Sequence, residues 1–439
     1  MVRVSGPLST GIANTVLRRV APLEPRRATV TEAIDPDGNK VIDRVIATYF
    51  PCPGSYTGED VVEVSGHGNP VLLRQIVSAV IEAGARLAEP GEFTFRAYLN
   101  GRINLVQAEA VADLADAVTP RQARAAFDQL EGTMTSVVEK IDQELFDLIS
   151  LLEASLDFPE EGYHFVDEQS VASETTALST QVSQLLVNAD QGRLLREGCQ
   201  VAIVGKPNVG KSTLFNALCG APRAIVTEAA GTTRDLLTEK IDLGGIPITL
   251  VDTAGIRETQ DPVEAEGVDR AHRTVSVAGV VVVVLDGSCP LDKKDHRILE
   301  DTKDMRRVVI VSKRDLPSVW SVESEFGQVD GSRVFEASLL SDNQTSLERI
   351  RHQLISVLEN NGDKARRDTP AVTNLRHIVL LQQTQRALAR AVSLATSGAA
   401  EELVITDLQE ARSALEEISG KRTPDAVIER IFERFCIGK

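Results

Sequence analysis

The distribution of hydrophobic positions changes along the chain and predicts an N-terminal domain that mixes strands and helices. β-Branched runs at 41–50 and 61–64 predict strands, and Pro- and Gly-rich turns such as Pro51-Cys52-Pro53-Gly54 separate them. Segment 71–83 has apolar residues at the spacing of a helix. We therefore expect an α+β domain over residues 1–100.

Two further patterns follow. Apolar positions three and four apart predict long helices over 108–118, 122–156 and 170–196, and again from 372 to the end. From Gly198 to about Asn360, strands alternate with helices, which is typical of a parallel sheet covered by helices. The β-branched runs that predict these strands are 201–204, 248–251, 280–285 and 308–311.

The order helical, α/β, helical is most simply explained by an α/β domain inserted into a helical domain. We predict boundaries at 101–197 and 363–439 for the two helical parts and at 198–362 for the insert. Such an insertion requires the two ends of the guest domain to lie close together, which α/β domains often satisfy.

The net charge and the cysteine content limit the binding partners and the cellular compartment that we expect. The formal net charge is −17 over 439 residues, so a broad nucleic-acid-binding face is not expected, and RNA would be held by a local patch or by a partner. The five cysteines are far apart, which predicts reduced thiols in a cytoplasmic protein. We expect no signal peptide and no membrane association.

The strongest chemical signal is Gly205-Lys206-Pro207-Asn208-Val209-Gly210-Lys211-Ser212, followed by Thr213. It matches the phosphate-binding P-loop motif, and it lies between a predicted strand and a predicted helix. Backbone N–H groups and the helix N-terminus attract phosphate. Lys211 is predicted to reach the β- and γ-phosphates, and Ser212 to bind Mg²⁺.

Two loops complete the phosphate side of the predicted site. Asp252-Thr253-Ala254-Gly255 follows a strand, where Asp252 can hold magnesium through water and the Gly255 N–H can sense the γ-phosphate. Thr233 lies in a polar loop and can complete the coordination of magnesium.

Guanine is predicted to be the base. Ser312-Lys313-Arg314-Asp315 resembles the N-K-x-D motif, in which the aspartate accepts two N–H groups of guanine, and serine replaces the usual asparagine. We expect Asp315 to preserve specificity, with weaker nucleotide affinity. The fifth GTPase signature is placed at Glu336-Ala337-Ser338.

The residues that break the phosphate bond are less defined. Ile256 occupies the position where many GTPases carry a water-orienting glutamine. Another group must then act. A carboxylate can orient the water directly or through a second water, and the candidates are Glu258, Asp261, Glu264 and Glu266. Asn208 occupies the position where potassium-using small GTPases have an asparagine, so K⁺ is predicted to offset the developing charge.

With these motifs in place, nearly the whole chain resembles the MnmE (TrmE) family of tRNA modification GTPases. The N-terminal resemblance rests on Ser55-Tyr56-Thr57-Gly58-Glu59-Asp60, Gly66-His67-Gly68, Pro90-Gly91-Glu92-Phe93-Thr94, Leu99-Asn100-Gly101-Arg102 and Gln107-Ala108-Glu109-Ala110. The helical part adds Asp157-Phe158-Pro159-Glu160-Glu161 and the tail Phe435-Cys436-Ile437-Gly438-Lys439. Members of this family usually carry a further segment with a first strand ahead of the one that matches Met1–Pro7.

The resemblance implies a fold class and site residues. The fold is a multidomain α/β protein, with a P-loop GTPase domain inserted in an all-helical domain and preceded by an α+β domain for dimerisation and folate binding. K⁺ would be held by Asn208 with Thr227, Ala229 and Thr232. Glu264 would orient the water, with Lys211 and the tail thiol Cys436 as further catalytic candidates, although Cys436 is equally explained as a packed tail residue. The implied GTP contacts are Asn208, Val209, Gly210, Lys211, Ser212, Thr213, Thr227, Glu228, Ala229, Ala230, Gly231, Thr232, Thr233, Asp252, Thr253, Ala254, Gly255, Ser312, Lys313, Arg314, Asp315, Glu336, Ala337 and Ser338.

The resemblance also implies a reaction. A homodimer would combine with the flavoprotein MnmG into a heterotetramer that adds a carboxymethylaminomethyl-type group to C5 of tRNA uridine 34. The one-carbon donor would be 5,10-methylene- or 5-formyl-tetrahydrofolate, contacted by Arg3, Glu63, Arg102 and Lys439. The family more often has lysine at the position of Arg102.

Two rival functions use similar motifs. A ribosome-assembly GTPase shares the P-loop asparagine but usually carries a basic RNA-binding domain, whereas this chain has nine basic and nine acidic side chains from Thr369 onward. A membrane-remodelling GTPase would need an apolar or amphipathic membrane segment, and the sequence has none that we recognise.

Overall fold

The structure is a computed structural model that describes residues 1–18, 21–37, 40–157, 168–220, 237–252, 278–326, 334–338, 343–359, 372–435 and 438. The chain divides into two units, which are described separately below. The first comprises Met1–Ala115, Ala126–Val182 and Val379–Lys439, and the second comprises Asp116–Ala125 and Ser183–Ile378.

The first unit begins with a five-stranded sheet in the order β1-β5-β4-β3-β2, with antiparallel pairing throughout. The strands are β1 (Val2–Ser5), β2 (Leu17–Arg18), β3 (Thr29–Ile34), β4 (Val41–Phe50) and β5 (Val61–Ser65). Residues alternate between buried and open along β4, and the buried face packs with α1 (Ser9–Val16) and α2 (Pro70–Glu82) in one apolar core. The predictions of strands at 41–50 and 61–64 and of a helix near 71–83 are confirmed.

Helices form the rest of the first unit. After α3 (Glu92–Leu99), the helices are α4 (Leu105–Asp116), α5 (Pro120–Leu130), α6 (Thr133–Asp157) and α7 (Glu168–Leu186), and near the C-terminus α13 (Leu375–Thr396), α14 (Glu401–Ser419) and α15 (Asp425–Phe432). Some of these helices extend beyond the bounds of the unit. The rings of Phe432 and Phe435 are stacked, with their centroids 5.2 Å apart. Both residues belong to the small core that contains Leu105 and Ala108 of α4.

The prediction of single helices over 122–156 and 170–196 is wrong. Gly132 adopts φ +83° between α5 and α6, and the Gly132 N–H donates to the Gln129 carbonyl, which ends α5. The second region is broken between α7 and α8 (Ala189–Glu197), where Asn188 precedes the new helix. At Gly132 the positive φ ends the helix, even though the apolar spacing continues through this residue.

The second unit contains a six-stranded sheet in the order β11-β10-β9-β6-β8-β7, in which only the β7–β8 pair is antiparallel. Its strands are β6 (Cys199–Val204), β7 (Leu237–Leu243), β8 (Ile246–Asp252), β9 (Val280–Asp286), β10 (Arg307–Ser312) and β11 (Val334–Glu336). The helices are α8, α9 (Lys211–Cys219), α10 (Lys293–Asp301), α11 (Val322–Phe326) and α12 (Asn343–Leu358).

The central strand β9 is buried at every position, as its unbroken apolar run requires when both faces of a parallel sheet are covered. Strands β6, β8, β9 and β10 were all predicted, and each is confirmed to within a few residues at either end. The carboxyl ends of β6, β9 and β10 lie at one edge of the sheet, because these strands are parallel, and β8 ends there with Asp252. Ligands bind at this edge in open α/β sheets.

Candidate functional site

The P-loop connects β6 to α9, and its backbone conformation depends on particular residues. Gly205 has φ +155°, and a Cβ there would lie 2.4 Å from the carbonyl oxygen of Val284, so a larger residue cannot fit without displacing β9. Gly210 has φ +104° and immediately precedes α9. Asn208 also has positive φ, at +61°, a conformation that asparagine adopts more readily than most residues, and it is exposed.

Lys211 lies inside the loop. It is 6% exposed, and its Nζ donates to the carbonyl oxygens of Gly205 at 2.8 Å and Lys206 at 2.6 Å. Burial lowers the pKa of Lys211 and the nearby Asp252 carboxylate acts in the opposite direction. The loop thus holds an ammonium group that can exchange its two carbonyl contacts for phosphate oxygens.

Ser212 and Asp252 bring two oxygen groups together below the loop. Ser212 Oγ donates to Asp252 Oδ2 at 3.3 Å, and Asp252, the last residue of β8, is 1% exposed. Hydroxyl and carboxylate oxygens are hard ligands of the kind that Mg²⁺ prefers. The pair fits a magnesium ion held by Ser212 directly and by Asp252 through water.

The predicted guanine side comes together at the end of β10. Ser338 Oγ donates to Asp315 Oδ1 at 3.0 Å, and the Arg314 guanidinium pairs with Glu336 at 2.9 Å. The Ala337 N–H donates to the Val311 carbonyl at 2.8 Å, which ties this segment to β10. Glu336-Ala337-Ser338 therefore lies beside Asp315.

Ser312 is turned away from this surface. It is 1% exposed, and its Oγ lies 2.6 Å from the Val209 carbonyl and 2.9 Å from that of Leu285. A hydroxyl carries one proton, so it can donate fully to only one of them. The side chain that replaces asparagine therefore connects the P-loop to the sheet.

Lys313 pairs with an aspartate at the end of β9. The Nζ of Lys313 lies 2.5 Å from Asp286 Oδ2. Burial would raise the pKa of Asp286, but hydrogen bonds from Lys313 and Ser288 outweigh it and the pKa is lowered.

Several charged residues of the site were missed by sequence reasoning. Lys206 Nζ lies 3.0 Å from Asp292 Oδ2 and 2.6 Å from Asp295 Oδ2, at the start of α10. Asp286 was missed as well. The available signal was a set of aspartates directly after a buried strand, but the pattern does not identify their partners.

Other predicted residues lie outside the described part of the chain. They are Thr227, Glu228, Ala229, Ala230, Gly231, Thr232, Thr233, Thr253, Ala254, Gly255, Glu258, Asp261, Glu264, Glu266, Cys436 and Lys439.

Two residues of the predicted folate set meet in the N-terminal sheet. Arg3 and Glu63 face each other across β1 and β5, and Arg3 Nε donates to Glu63 Oε1 at 2.8 Å. The Arg3 guanidinium also lies 5.3 Å from the centroid of the Tyr56 ring and 5.5 Å from that of Phe93. Both aromatic residues belong to the family motifs, but the sequence did not place them with Arg3. Arg102 is exposed and packs near Gly58.

Family models match both parts of the chain. The model for the GTP-binding protein TrmE N-terminus matches residues 1–102, and the model for the MnmE helical domain matches residues 105–436. This chain belongs to the MnmE family of tRNA modification GTPases. The family assignment confirms the predicted fold class, an α+β N-terminal domain and a helical domain that carries a P-loop GTPase.

Curated relatives of the MnmE family agree over the full length. The chain is 37% identical over 443 residues to the tRNA modification GTPase MnmE of Lactiplantibacillus plantarum, covering 100% of this chain and 95% of that one. It is 38% identical over 444 residues to the protein of the same name from Alkaliphilus metalliredigens, covering 100% and 96%. A whole-chain match of this kind does not favour a ribosome-assembly or membrane-remodelling GTPase.

Some solved structures are similar to a part of this chain. One is Era from Aquifex aeolicus bound to GDP·AlF4⁻, with a TM-score of 0.28 and 24% identity over 43% of this chain and 66% of that one. Another is the G domain of the T. maritima FeoB iron transporter, with a TM-score of 0.28 and 23% identity over 36% of this chain and 98% of that one. These similarities are too partial to add to the assignment.

Proposed function

We propose that this chain hydrolyses GTP with the help of Mg²⁺ and K⁺. We further propose that, with the flavoprotein MnmG, it adds a carboxymethylaminomethyl-type group to C5 of uridine 34 of certain tRNAs. The GTPase part rests on one observation, that Lys211, Ser212 and Asp252 lie together at one edge of the sheet. The hydrogen-bonded pair Asp315–Ser338, which is proposed to read the base, lies at the end of β10. The tRNA part rests on family membership.

The chain's own groups have separable roles. The backbone N–H groups of the P-loop and the N-terminus of α9 would surround the β- and γ-phosphates. Lys211 would leave the two loop carbonyls and donate to phosphate oxygens as negative charge develops on them. Asp315, oriented by Ser338, would accept the N1–H and N2–H of guanine and so exclude adenine.

Two cations are part of the proposal. Mg²⁺ would be held by Ser212 and Thr233, with Asp252 acting through water, and when bound it neutralises charge on the phosphates. K⁺ would be held by Asn208 with Thr227, Ala229 and Thr232, and it supplies the positive charge that an arginine supplies in other GTPases. The exposed position of Asn208 in the P-loop supports this assignment.

The remaining assignments follow the family resemblance. Glu264 would orient the attacking water, and the tail thiol Cys436 stays a candidate catalytic group. The reduced folate would contact Arg3, Glu63, Arg102 and Lys439. The charged Arg3–Glu63 pair beside two aromatic rings suits a flat heteroaromatic ring with donor and acceptor edges.

Assembly and location are proposed on the same basis. The chain would form a homodimer and, with MnmG, a heterotetramer in the cytoplasm, and the domain boundaries at 100, 197 and 362 remain predictions. No helix among the described residues combines the length and the apolar character needed to cross a membrane.

The tRNA part is tested by nucleoside mass spectrometry of tRNA. A strain lacking the gene is predicted to lose the C5 substituent of wobble uridine, and the wild-type gene should restore it. Lys211→Ala should not restore it, because the variant lacks the phosphate-binding ammonium, whereas Lys140→Ala should restore it. Lys140 is an exposed lysine on α6, outside the proposed site. Unchanged modification in the deletion strain would contradict the proposed reaction.

A further inference from the structure

A charged contact connects the P-loop to the first turn of α10. Lys206 Nζ lies 2.6 Å from Asp295 Oδ2 and 3.0 Å from Asp292 Oδ2. Asp295 is 1% exposed and the Lys206 side chain is 19% exposed, so the central contact is shielded from water. A shielded ion pair is screened less by salt than a surface pair and fixes the geometry of its partners more strongly.

Helix capping alone does not account for this arrangement. Asp292 and Asp295 form a capping box at the start of α10, in which the Asp292 N–H donates to Asp295 Oδ2 at 3.0 Å. A capping box can be formed by neutral side chains such as Ser and Gln, and it needs no cation. Asp295 is instead a buried carboxylate whose Oδ1 has no hydrogen-bond partner in the described chain. Burying such a group costs stability unless it is paired, and its cation comes from the P-loop.

The same lysine also touches the phosphate-binding residue. The main-chain carbonyl of Lys206 accepts a hydrogen bond from Lys211 Nζ at 2.6 Å. A side-chain contact to α10 and a main-chain contact to Lys211 thus meet in one residue. A shift of Lys206 would move the first turn of the loop and the position from which Lys211 reaches phosphate.

The connection from β9 to α10, residues 286–295, also reaches the base side of the site. At its start, Asp286 pairs with Lys313 of the guanine-reading motif at 2.5 Å, and the Asp286 carbonyl accepts from Trp320 Nε1 at 3.1 Å. At its end, Asp295 holds Lys206. This short connection therefore contacts both ends of the nucleotide site.

We propose that Asp295, assisted by Asp292, is a positioning residue that holds the P-loop through Lys206 and thereby slows the release of bound guanine nucleotide. In this proposal Asp295 acts through Lys206 and does not itself contact the nucleotide. The inference rests on the proposed nucleotide site. The ligand whose release is slowed is a guanine nucleoside diphosphate held by the P-loop.

The test is the dissociation rate of a fluorescent GDP analogue from the full-length protein, measured by stopped flow with excess unlabelled GDP. Asp295→Asn is expected to release the analogue about tenfold faster with little change in the association rate, because variants of one binding site differ mainly in their dissociation rates. Asp301→Asn is the matched control. It removes the same charge from the same helix, where Asp301 pairs only with Arg297 among the described residues, and it should release the analogue at the wild-type rate.

A substitution of Lys206, the other partner of the contact, distinguishes the loss of this contact from a general loss of stability. Lys206→Met should also speed release, and the double variant should be no faster than the faster single variant, since both changes remove one contact. The preference for GDP over xanthosine diphosphate should stay unchanged in all three variants, because Asp315 reads the base. Wild-type release rates in both single variants, or effects that add in the double variant, would overturn the inference. Failure of the wild-type protein to bind the analogue would instead contradict the proposed GTPase function.

Discussion

At the scale of single residues, Glu92 is the described carboxylate with the most strongly lowered pKa, at about 2. The Arg86 guanidinium lies 2.5 Å from Glu92 Oε1, Arg96 lies 2.7 Å from the same oxygen, and the Glu89 N–H donates to Oε2. The hydrogen bond from Arg86 is the largest cause, and it acts with the others against burial, which would raise the pKa.

A pH-dependent stability follows from Glu92. The pKa of Glu92 in the folded state is lower than its ordinary value of 4.5, so the ionised carboxylate stabilises the protein at pH values above 4.5. This contribution is lost as the pH falls from 4.5 through about 2. Its upper bound is about 3 kcal/mol. Glu92→Gln should lower the free energy of urea unfolding at pH 7 and flatten its fall below pH 4.5, followed by circular dichroism. Glu82→Gln, at an exposed position at the end of α2, is the control, and equal pH profiles for Glu92→Gln and wild type would contradict the assignment.

Asn208 and Ser312 show which features of single residues the sequence predicts and which it does not. The asparagine and its role were predicted from the motif, and its exposed position in the P-loop is consistent with that prediction. The inward turn of Ser312 was not predicted, because the motif specifies the residue type and not the direction of a short side chain. Its contacts depend on Val209 and Leu285, which lie in other strands and loops.

At the scale of elements, α6 and α14 pack together through an apolar stripe and a buried charge. Ile141, Leu145, Leu148 and Leu152 recur along α6 at helical spacing and are at most 1% exposed. Next to them, Asp142 accepts from Arg412 Nε at 3.1 Å and from Lys421 Nζ at 3.0 Å, and its side chain is 9% exposed. The packing and the ion pairs fix the same register between the two helices.

Removing this carboxylate should weaken the helical packing. Asp142→Asn is expected to destabilise the protein by about 1–3 kcal/mol. The amide keeps one oxygen, so it can accept from only one of Arg412 and Lys421, and it loses the charge that pairs with both. Glu410→Gln breaks the exposed contact between Arg390 and Glu410, both about half exposed or more, and should change stability by less than about 1 kcal/mol. The two variants are compared by urea unfolding. Equal losses would mean that burial does not strengthen the Asp142 contacts.

Element boundaries were predicted well where a single periodicity dominates. The apolar runs of β9 and β10 and the strand 41–50 were found because their patterns do not depend on distant residues. The helix breaks at Gly132 and near Asn188 were missed, because the apolar spacing continues through both. At Gly132 the backbone conformation of one residue decided the boundary.

At the scale of the whole molecule, the sequence predicted the family and the sites that lie within short motifs. Long-range charge pairs such as Lys206 with Asp292, 86 residues apart, could not be predicted, because many acids compete for each lysine in a chain of net charge −17. The same acidity supports the expectation that tRNA is held by a local patch or by a partner. Binding of tRNA by the isolated chain should therefore be weak, and because a local patch contacts few phosphates, its affinity should fall only modestly with added salt.

Asn208 in the P-loop is proposed to recruit K⁺ for GTP hydrolysis. The most direct measurement is the single-turnover rate of GTP hydrolysis in KCl and in NaCl at equal ionic strength. We predict a much faster rate in KCl for the wild type and for Asn216→Ala, an exposed asparagine on α9 outside the proposed site. Asn208→Gly, which tolerates the φ of +61° but lacks the amide, should hydrolyse GTP at the slow rate in both salts. Equal wild-type rates in the two salts, or a potassium effect that survives in Asn208→Gly, would contradict the account.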